Sequence, residues 1–203
     1  MINSKRDGKN MAQIFNKRIY GVKEFNRFFS EAMASFSIIR KARKKNLVSK
    51  EFQKRIMLVV TEVNGCQLCS YWHTREALKS GMPEEEIKNM LSGNIENVPK
   101  EEGVALFFAQ HYAESAAHPD AKAWQRVIDT YGKEKAETIL AFIKIIMMGN
   151  VYGIAVSALL NRLKGKPVKK SNFLHELGII FGVIIFIPVL FVKKFVKVCI
   201  NKK

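Results

Sequence analysis

The chain has 203 residues and 48% of them are hydrophobic, so it can bury a core of its own and does not have the composition of a disordered tail. It has three cysteines, which are too few for a secreted disulfide framework. The formal net charge is +16, which excludes an acidic protein and favours anionic partners.

The predicted secondary structure is helical throughout, because apolar residues recur every three or four positions and show no strand-like alternation of useful length. Glycine, proline and an Asn-Gly pair mark the breaks between helices. The predicted helices cover residues 9–30, 31–45, 50–63, 66–80, 83–91, 99–117, 120–131 and 133–164. In the last of these, Gly149 and Gly153 allow close helix packing. The sequence therefore predicts an all-α fold, a helical bundle followed by a hydrophobic C-terminal helix.

Composition divides the chain into three parts. Residues 1–48 are a basic helical arm, residues 49–164 a helical core, and residues 165–203 a linker and a hydrophobic tail. In the tail, residues 177–192 carry no charge and would extend about 24 Å as a helix, which is short of a ~30 Å hydrocarbon layer. Lysines flank this stretch on both sides, so we expect a membrane anchor or an interfacial helix. The alternative is a helix buried between subunits.

The positive charge is concentrated at the two ends of the chain. Residues 1–50 have 13 Lys and Arg against 3 Asp and Glu, and residues 162–203 have 10 against 1, whereas residues 51–161 have 11 against 14. Such ends suit an anionic membrane, and no nucleic-acid-binding module accompanies them. The first ten residues contain no apolar run, so we expect no signal peptide. We therefore expect the chain at the cytoplasmic face of a membrane or in the cytoplasm.

Residues with reactive chemistry lie in the stretch TEVNGCQLCSYWHTREALKSG, residues 61–81. Cys66 and Cys69 are three positions apart, so a helix places them on one face, within the ~4.4–6.8 Å Cα separation of a disulfide. His73 follows Cys69 by four positions, and its side chain leans back towards that cysteine. Both cysteines come after the Asn-Gly break, where free N–H groups at a helix start stabilise a thiolate. These parts suffice for attack on a peroxide or disulfide, followed by closure of a Cys66–Cys69 disulfide.

Two other interpretations of the motif stay open. The C-x-x-C-x-x-x-H spacing offers three zinc ligands, although one helix wraps poorly around a tetrahedral ion and the sequence has no second Cys/His cluster. The cysteines are also compatible with a purely structural role. The functions that follow are a thiol oxidoreductase without a bound cofactor or metal, or a non-enzymatic redox or zinc sensor.

The pattern Asn64-Gly65-Cys66-x-x-Cys69-x-x-x-His73-x-x-x-Ala77-x-x-x-Gly81 resembles the AhpD-like, CxxC-bearing branch of the carboxymuconolactone decarboxylase family. The resemblance covers residues 45–95 and continues more weakly to about residue 163. It implies an AhpD-like helical bundle that assembles as trimers or hexamers and acts as an alkylhydroperoxidase-like thiol enzyme.

The same resemblance implies roles for the motif residues. Cys69 would be the attacking thiol, Cys66 the resolving thiol and His73 part of a proton relay. Electrons would come from another thiol or disulfide protein. Lactone or decarboxylase chemistry on the same fold ranks last, because it does not need the thiol pair.

The chain departs from the family pattern at two positions. The relay glutamate of the family lies twelve residues before the first cysteine, where this chain has Lys54. Leu68 replaces a histidine that some members have just before the second cysteine. We therefore expect another carboxylate to complete the catalytic set: Glu62, four residues before Cys66, with Glu51 as the next candidate.

Overall fold

A computed structural model describes residues 18–184 of the chain. All regular secondary structure within this range is helical, which confirms the predicted all-α class. The helices are α1 (Val22–Lys44), α2 (Lys50–Asn64), α3 (Gln67–Lys79), α4 (Glu84–Leu91), α5 (Gly103–Glu114), α6 (Ala121–Tyr131), α7 (Lys133–Leu163) and α8 (Phe173–Ile184), with a 3-10 turn at Lys100–Glu102. Residues 9–17 of the first predicted helix and residues 185–192 of the uncharged tail lie outside the described residues.

Helix ends follow local chemistry that the sequence already shows. The Ser49 hydroxyl accepts a hydrogen bond from the Phe52 N–H (3.0 Å), and the Asp120 carboxylate accepts one from the Ala123 N–H (3.3 Å), so each caps the start of a helix. One helix, α1, occupies the place where the sequence suggested a break after residue 30. The Ser30 hydroxyl donates to the Asn26 carbonyl inside the helix and caps nothing.

The centre of the fold is α7, which at 31 residues is about 46 Å long and contacts α1, α2, α3, α5 and α6. Within residues 18–184 it is the one helix that meets the length and hydropathy criteria for a membrane span, with a mean hydropathy of 2.0. However, 61% of its most apolar 18-residue stretch is buried inside the fold. Its apolar character is therefore that of a core helix.

The basic arm contributes to the same core. Phe25, Phe28 and Phe29 on α1 are buried, and α1 has the most extensive contact with α7 of any helix pair. The packed core as observed therefore begins well before residue 49.

An internal ion cluster fixes the start of the α2–α3 hairpin. Arg55 of α2 donates to Glu86 of α4 (2.6 Å) and to both carboxylate oxygens of Glu102 in the 3-10 turn (3.1 Å each). All three side chains are less than one-sixth exposed. Loss of one member would leave buried charge without a partner, so the cluster specifies how α2 sits on its neighbours.

Candidate redox site

The paired cysteines lie at the junction between α2 and α3. Gly65 ends α2 in the left-handed conformation (φ +67°), which a side chain would disfavour. Cys66 follows as the N-cap residue of α3, and its Sγ accepts a hydrogen bond from the Cys69 N–H at 3.2 Å. The two Cα atoms are 5.3 Å apart and the sulfurs are joined in a disulfide. The geometry predicted from the C-x-x-C spacing is thus confirmed.

A glycine on α7 makes room for both sulfurs. A Cβ atom on Gly153 would lie 2.6 Å from Cys69 Sγ and 2.7 Å from Cys66 Sγ, closer than packed atoms approach. Cys69 Sγ also lies 3.7 Å from the Gly149 carbonyl oxygen. The disulfide therefore rests directly on the backbone of the central helix. The close packing expected at the two glycines is observed at Gly153, whereas a Cβ atom on Gly149 would have no neighbour within 4 Å.

The two cysteines differ in their exposure to solvent. Cys66 is 0% exposed, whereas Cys69 is partly exposed. An incoming thiol or peroxide therefore reaches Cys69 first. The helix-start N–H group, by contrast, is directed at the Cys66 sulfur, where it stabilises negative charge.

His73 lies one turn after Cys69 and is partly buried. Burial lowers its pKa from the ordinary value of 6.5, and the nearby Glu76 carboxylate partly opposes this effect. Among the described residues it has no hydrogen-bond partner, so its place in a proton relay stays a prediction. A neutral imidazole is nevertheless the form that a relay requires of a proton acceptor.

Glu76 is a site residue that the sequence reasoning missed. It lies one turn after His73 and binds Lys79 at 2.8 Å. The Lys54 ammonium helps to lower the pKa of this carboxyl, behind the larger effect of Lys79. Lys54 therefore contributes to the electrostatic surroundings of the Glu76 carboxyl, and the spacing of three between His73 and Glu76 was the available signal.

Glu62 faces a different part of the fold. Its carboxylate lies against Gly93, where a Cβ atom would be 3.9 Å away, and it lines a cleft of about 280 Å³ together with Arg18 and Tyr20. The preceding residue, Thr61, is the one that faces α7. Participation of Glu62 in catalysis stays a prediction, and so does that of Glu51, which is exposed near the start of α2.

Two buried asparagines border the site and were also missed. The Thr61 hydroxyl donates to Asn150 Oδ1 at 3.1 Å, while Asn150 Nδ2 has no partner within the described part of the chain. Asn64 accepts from the Tyr20 hydroxyl and donates towards Met147 Sδ at 3.2 Å. In the sequence, the signal for this polar layer was a single asparagine, Asn150, within the apolar run of α7.

The outer face of α3 carries apolar side chains next to the disulfide. Leu68, Tyr71 and Trp72 are 45%, 67% and 57% exposed. They are therefore not part of the core of this chain. Within residues 18–184, no group of three or more His, Cys, Asp and Glu side chains is arranged as a metal site.

Comparison of the chain with protein-family models, with curated proteins and with solved structures gives no match. The resemblance to the carboxymuconolactone decarboxylase family therefore rests on the motif at residues 64–81. What the geometry itself establishes is a bonded C-x-x-C pair at a helix start, which is compatible with redox chemistry.

Proposed function

We propose that this chain is a thiol oxidoreductase with alkylhydroperoxidase-like activity, in which Cys66 and Cys69 alternate between dithiol and disulfide. One observation supports it above all: the disulfide joins the partly exposed Cys69 to the buried Cys66, whose sulfur receives a helix-start hydrogen bond. This asymmetry gives each cysteine a distinct task.

In the reductive half-reaction, a thiolate of a reductant protein attacks the partly exposed Cys69 Sγ. The Cys66–Cys69 bond breaks and Cys66 leaves as a thiolate, which the Cys69 N–H stabilises. A second thiol of the reductant then attacks its own sulfur in the mixed disulfide. Cys69 is released as a thiolate and the reductant departs as a disulfide, so two electrons enter the chain.

In the oxidative half-reaction, the Cys69 thiolate attacks one oxygen of a hydroperoxide. The O–O bond breaks, Cys69 becomes a sulfenic acid, and the other oxygen leaves as the alcohol after taking up a proton. The Cys66 thiolate then attacks the Cys69 sulfur and hydroxide leaves as water with one more proton. His73, whose pKa is lowered by burial, is the proposed acceptor of the Cys69 thiol proton and donor of a proton to the leaving oxygen.

We also propose that the chain assembles with copies of itself. The exposed Leu68, Tyr71 and Trp72 on α3 support this proposal, since large apolar side chains next to a reactive site suit a covered interface. The trimer or hexamer implied by the family resemblance would cover them. Sedimentation of a Trp72→Glu variant tests this, and an unchanged mass would contradict it.

Steady-state turnover of the cysteine variants tests the function. With an organic hydroperoxide as oxidant and a dithiol as reductant, we expect Cys69→Ser to lose turnover entirely. Cys66→Ser, reduced and freed of dithiol before treatment with the hydroperoxide, should accumulate a Cys69 sulfenic acid, detectable with a dimedone probe. Cys199→Ser is the matched control and should keep full turnover. Full activity of Cys69→Ser would refute the proposal.

A further inference from the structure

The start of α8 is fastened to the rest of the fold by polar contacts. Arg162, in the last turn of α7, donates to both carboxylate oxygens of Glu176 (2.9 Å each) and to the Ser171 carbonyl (2.8 Å). His175 donates from Nε2 to the Tyr20 carbonyl at 2.7 Å. Glu176 and Ile179 are buried. The inner face of α8 is thus part of the folded core.

The outer face of α8 is apolar and open. Phe173, Leu174, Phe181 and Ile184 are 49–80% exposed. At about 100° per residue these positions fall within one ~100° sector of the helix, opposite the buried Ile179. We call this sector the α8 outer face. A helix that presents an apolar stripe on its free side needs a partner for that stripe.

A group of lysines precedes α8 in the chain. Lys164, Lys166, Lys169 and Lys170 are exposed in the loop between α7 and α8, and none has an ion-pair partner among the described residues. We call them the lysine corner. The single carboxylate of residues 162–203, Glu176, is already paired with Arg162. The positive charge that precedes α8 is therefore not neutralised by the fold.

We propose that the α8 outer face and the lysine corner bind the surface of an anionic lipid bilayer. Apolar side chains enter the boundary between head groups and acyl chains, while lysines contact the lipid phosphates. The inner face of residues 173–184 is held on the fold by Glu176 and His175, so this part of α8 lies along the bilayer surface with its outer face towards the lipid.

A second copy of this chain fits the same face less well. Residues 162–203 carry 10 basic residues against 1 acidic residue, so pairing two α8 outer faces would bring two strongly positive regions together. An anionic bilayer has the complementary charge. This inference goes beyond the proposed function, because it concerns binding to a membrane and does not depend on redox activity.

The placement has a geometric consequence for the redox site. Leu163, 73% exposed at the end of α7, is ten residues from Gly153, which is about 15 Å along the helix axis. Docking of α8 would therefore hold the disulfide close to the head groups. Hydroperoxides that partition into a bilayer would be concentrated near Cys69.

Sedimentation of the full chain with vesicles tests the proposal. We expect binding to vesicles of phosphatidylglycerol and phosphatidylcholine, at least tenfold weaker binding to phosphatidylcholine alone, and loss of the preference in high salt. Changing all four residues of the lysine corner to Gln should weaken anionic-vesicle binding at least tenfold. Leu174→Ser with Phe181→Ser should do the same. The matched controls are Lys122→Gln and Phe107→Ser, both exposed on other helices.

Two outcomes would overturn the proposal. If the variants bind as tightly as the parent chain, binding depends on residues outside the α8 outer face and lysine corner. If they instead abolish a dimer seen without vesicles, the α8 outer face is an interface between copies. The lysine-corner variants decide the matter should the apolar variants fail to fold, and thermal melts identify that failure.

Discussion

The middle and the end of α7 differ in how their apolar surface is used: the middle is packed against the disulfide, and the end is exposed. In the middle, Gly153 presents no side chain, and the helix backbone is in contact with both sulfurs of the disulfide. At the end, Leu160 and Leu163 are 47% and 73% exposed beside the open face of α8. One helix thus contacts the disulfide at its centre through a glycine without a side chain, and it presents exposed leucine side chains at its end. The comparison teaches that equal hydropathy along a helix does not mean equal function.

Removing the arginine at the end of α7 should have the largest effect on stability. Arg162→Ala leaves the buried Glu176 carboxylate without its cation, so the free energy of unfolding should decrease. Urea unfolding should show this decrease, while the redox midpoint of the disulfide stays unchanged. Lys164→Ala, an exposed neighbour, is the control and should change the free energy of unfolding by less than about 0.5 kcal/mol. Equal effects of the two changes would show that α8 is not held by this ion pair.

A methyl group in the middle of α7 should act on the oxidised state in particular. Gly153→Ala would push against both sulfurs, and overpacking of this kind costs about 1–3 kcal/mol. In the dithiol form the sulfurs can rotate apart, so the redox midpoint should move to a more positive potential.

Gly149→Ala is the matched control for this change. Nothing lies within 4 Å of the added Cβ, so alanine should leave the midpoint unchanged and raise stability by about 0.5–1 kcal/mol through helix propensity. Redox titration with glutathione and urea unfolding of the oxidised forms measure the two effects. If both alanine variants gave the same midpoint, the contact between Gly153 and the sulfurs would not affect the stability of the disulfide.

The smallest expected effect is on the titration of His73. Burial holds its pKa below 6.5, and the Glu76 carboxylate raises it by favouring the imidazolium. Glu76→Gln should therefore lower the pKa of His73 further, because the favourable charge is removed while burial remains. NMR titration of the ring in the oxidised protein measures both values, with Glu96→Gln as a distant control. A rise in the pKa of His73 on removal of Glu76 would contradict this account of its surroundings.

The sequence predicted the parts of this structure that depend on local chemistry. The order of the helices and the break at Asn64-Gly65 follow from residues next to one another in the chain. The disulfide geometry follows from the spacing of Cys66 and Cys69. These features could be predicted from the sequence because each depends on residues close together in the chain.

The remaining features depend on contacts between distant residues. Gly153 was recognised as a packing position, but its role beneath the sulfurs requires knowledge that α3 crosses α7 at that point. The uncharged stretch from residue 177 gave no indication that one side of its first turns packs against the core. This packing depends on the pairing of Glu176, just before the stretch, with Arg162. The neighbourhood of His73, Glu76 and Lys54 likewise arises from the antiparallel packing of α2 and α3.

The central claim is that Cys66 and Cys69 form one two-electron redox couple, and disulfide mapping after a single exposure to peroxide tests it most directly. In a Cys199→Ser background, the reduced protein is treated with one equivalent of hydroperoxide, alkylated, digested and analysed by mass spectrometry. We expect a peptide linked between Cys66 and Cys69, with one alcohol formed per chain. Recovery of both cysteines as alkylated thiols, or of Cys69 as a stable sulfinic acid with Cys66 unchanged, would contradict the account.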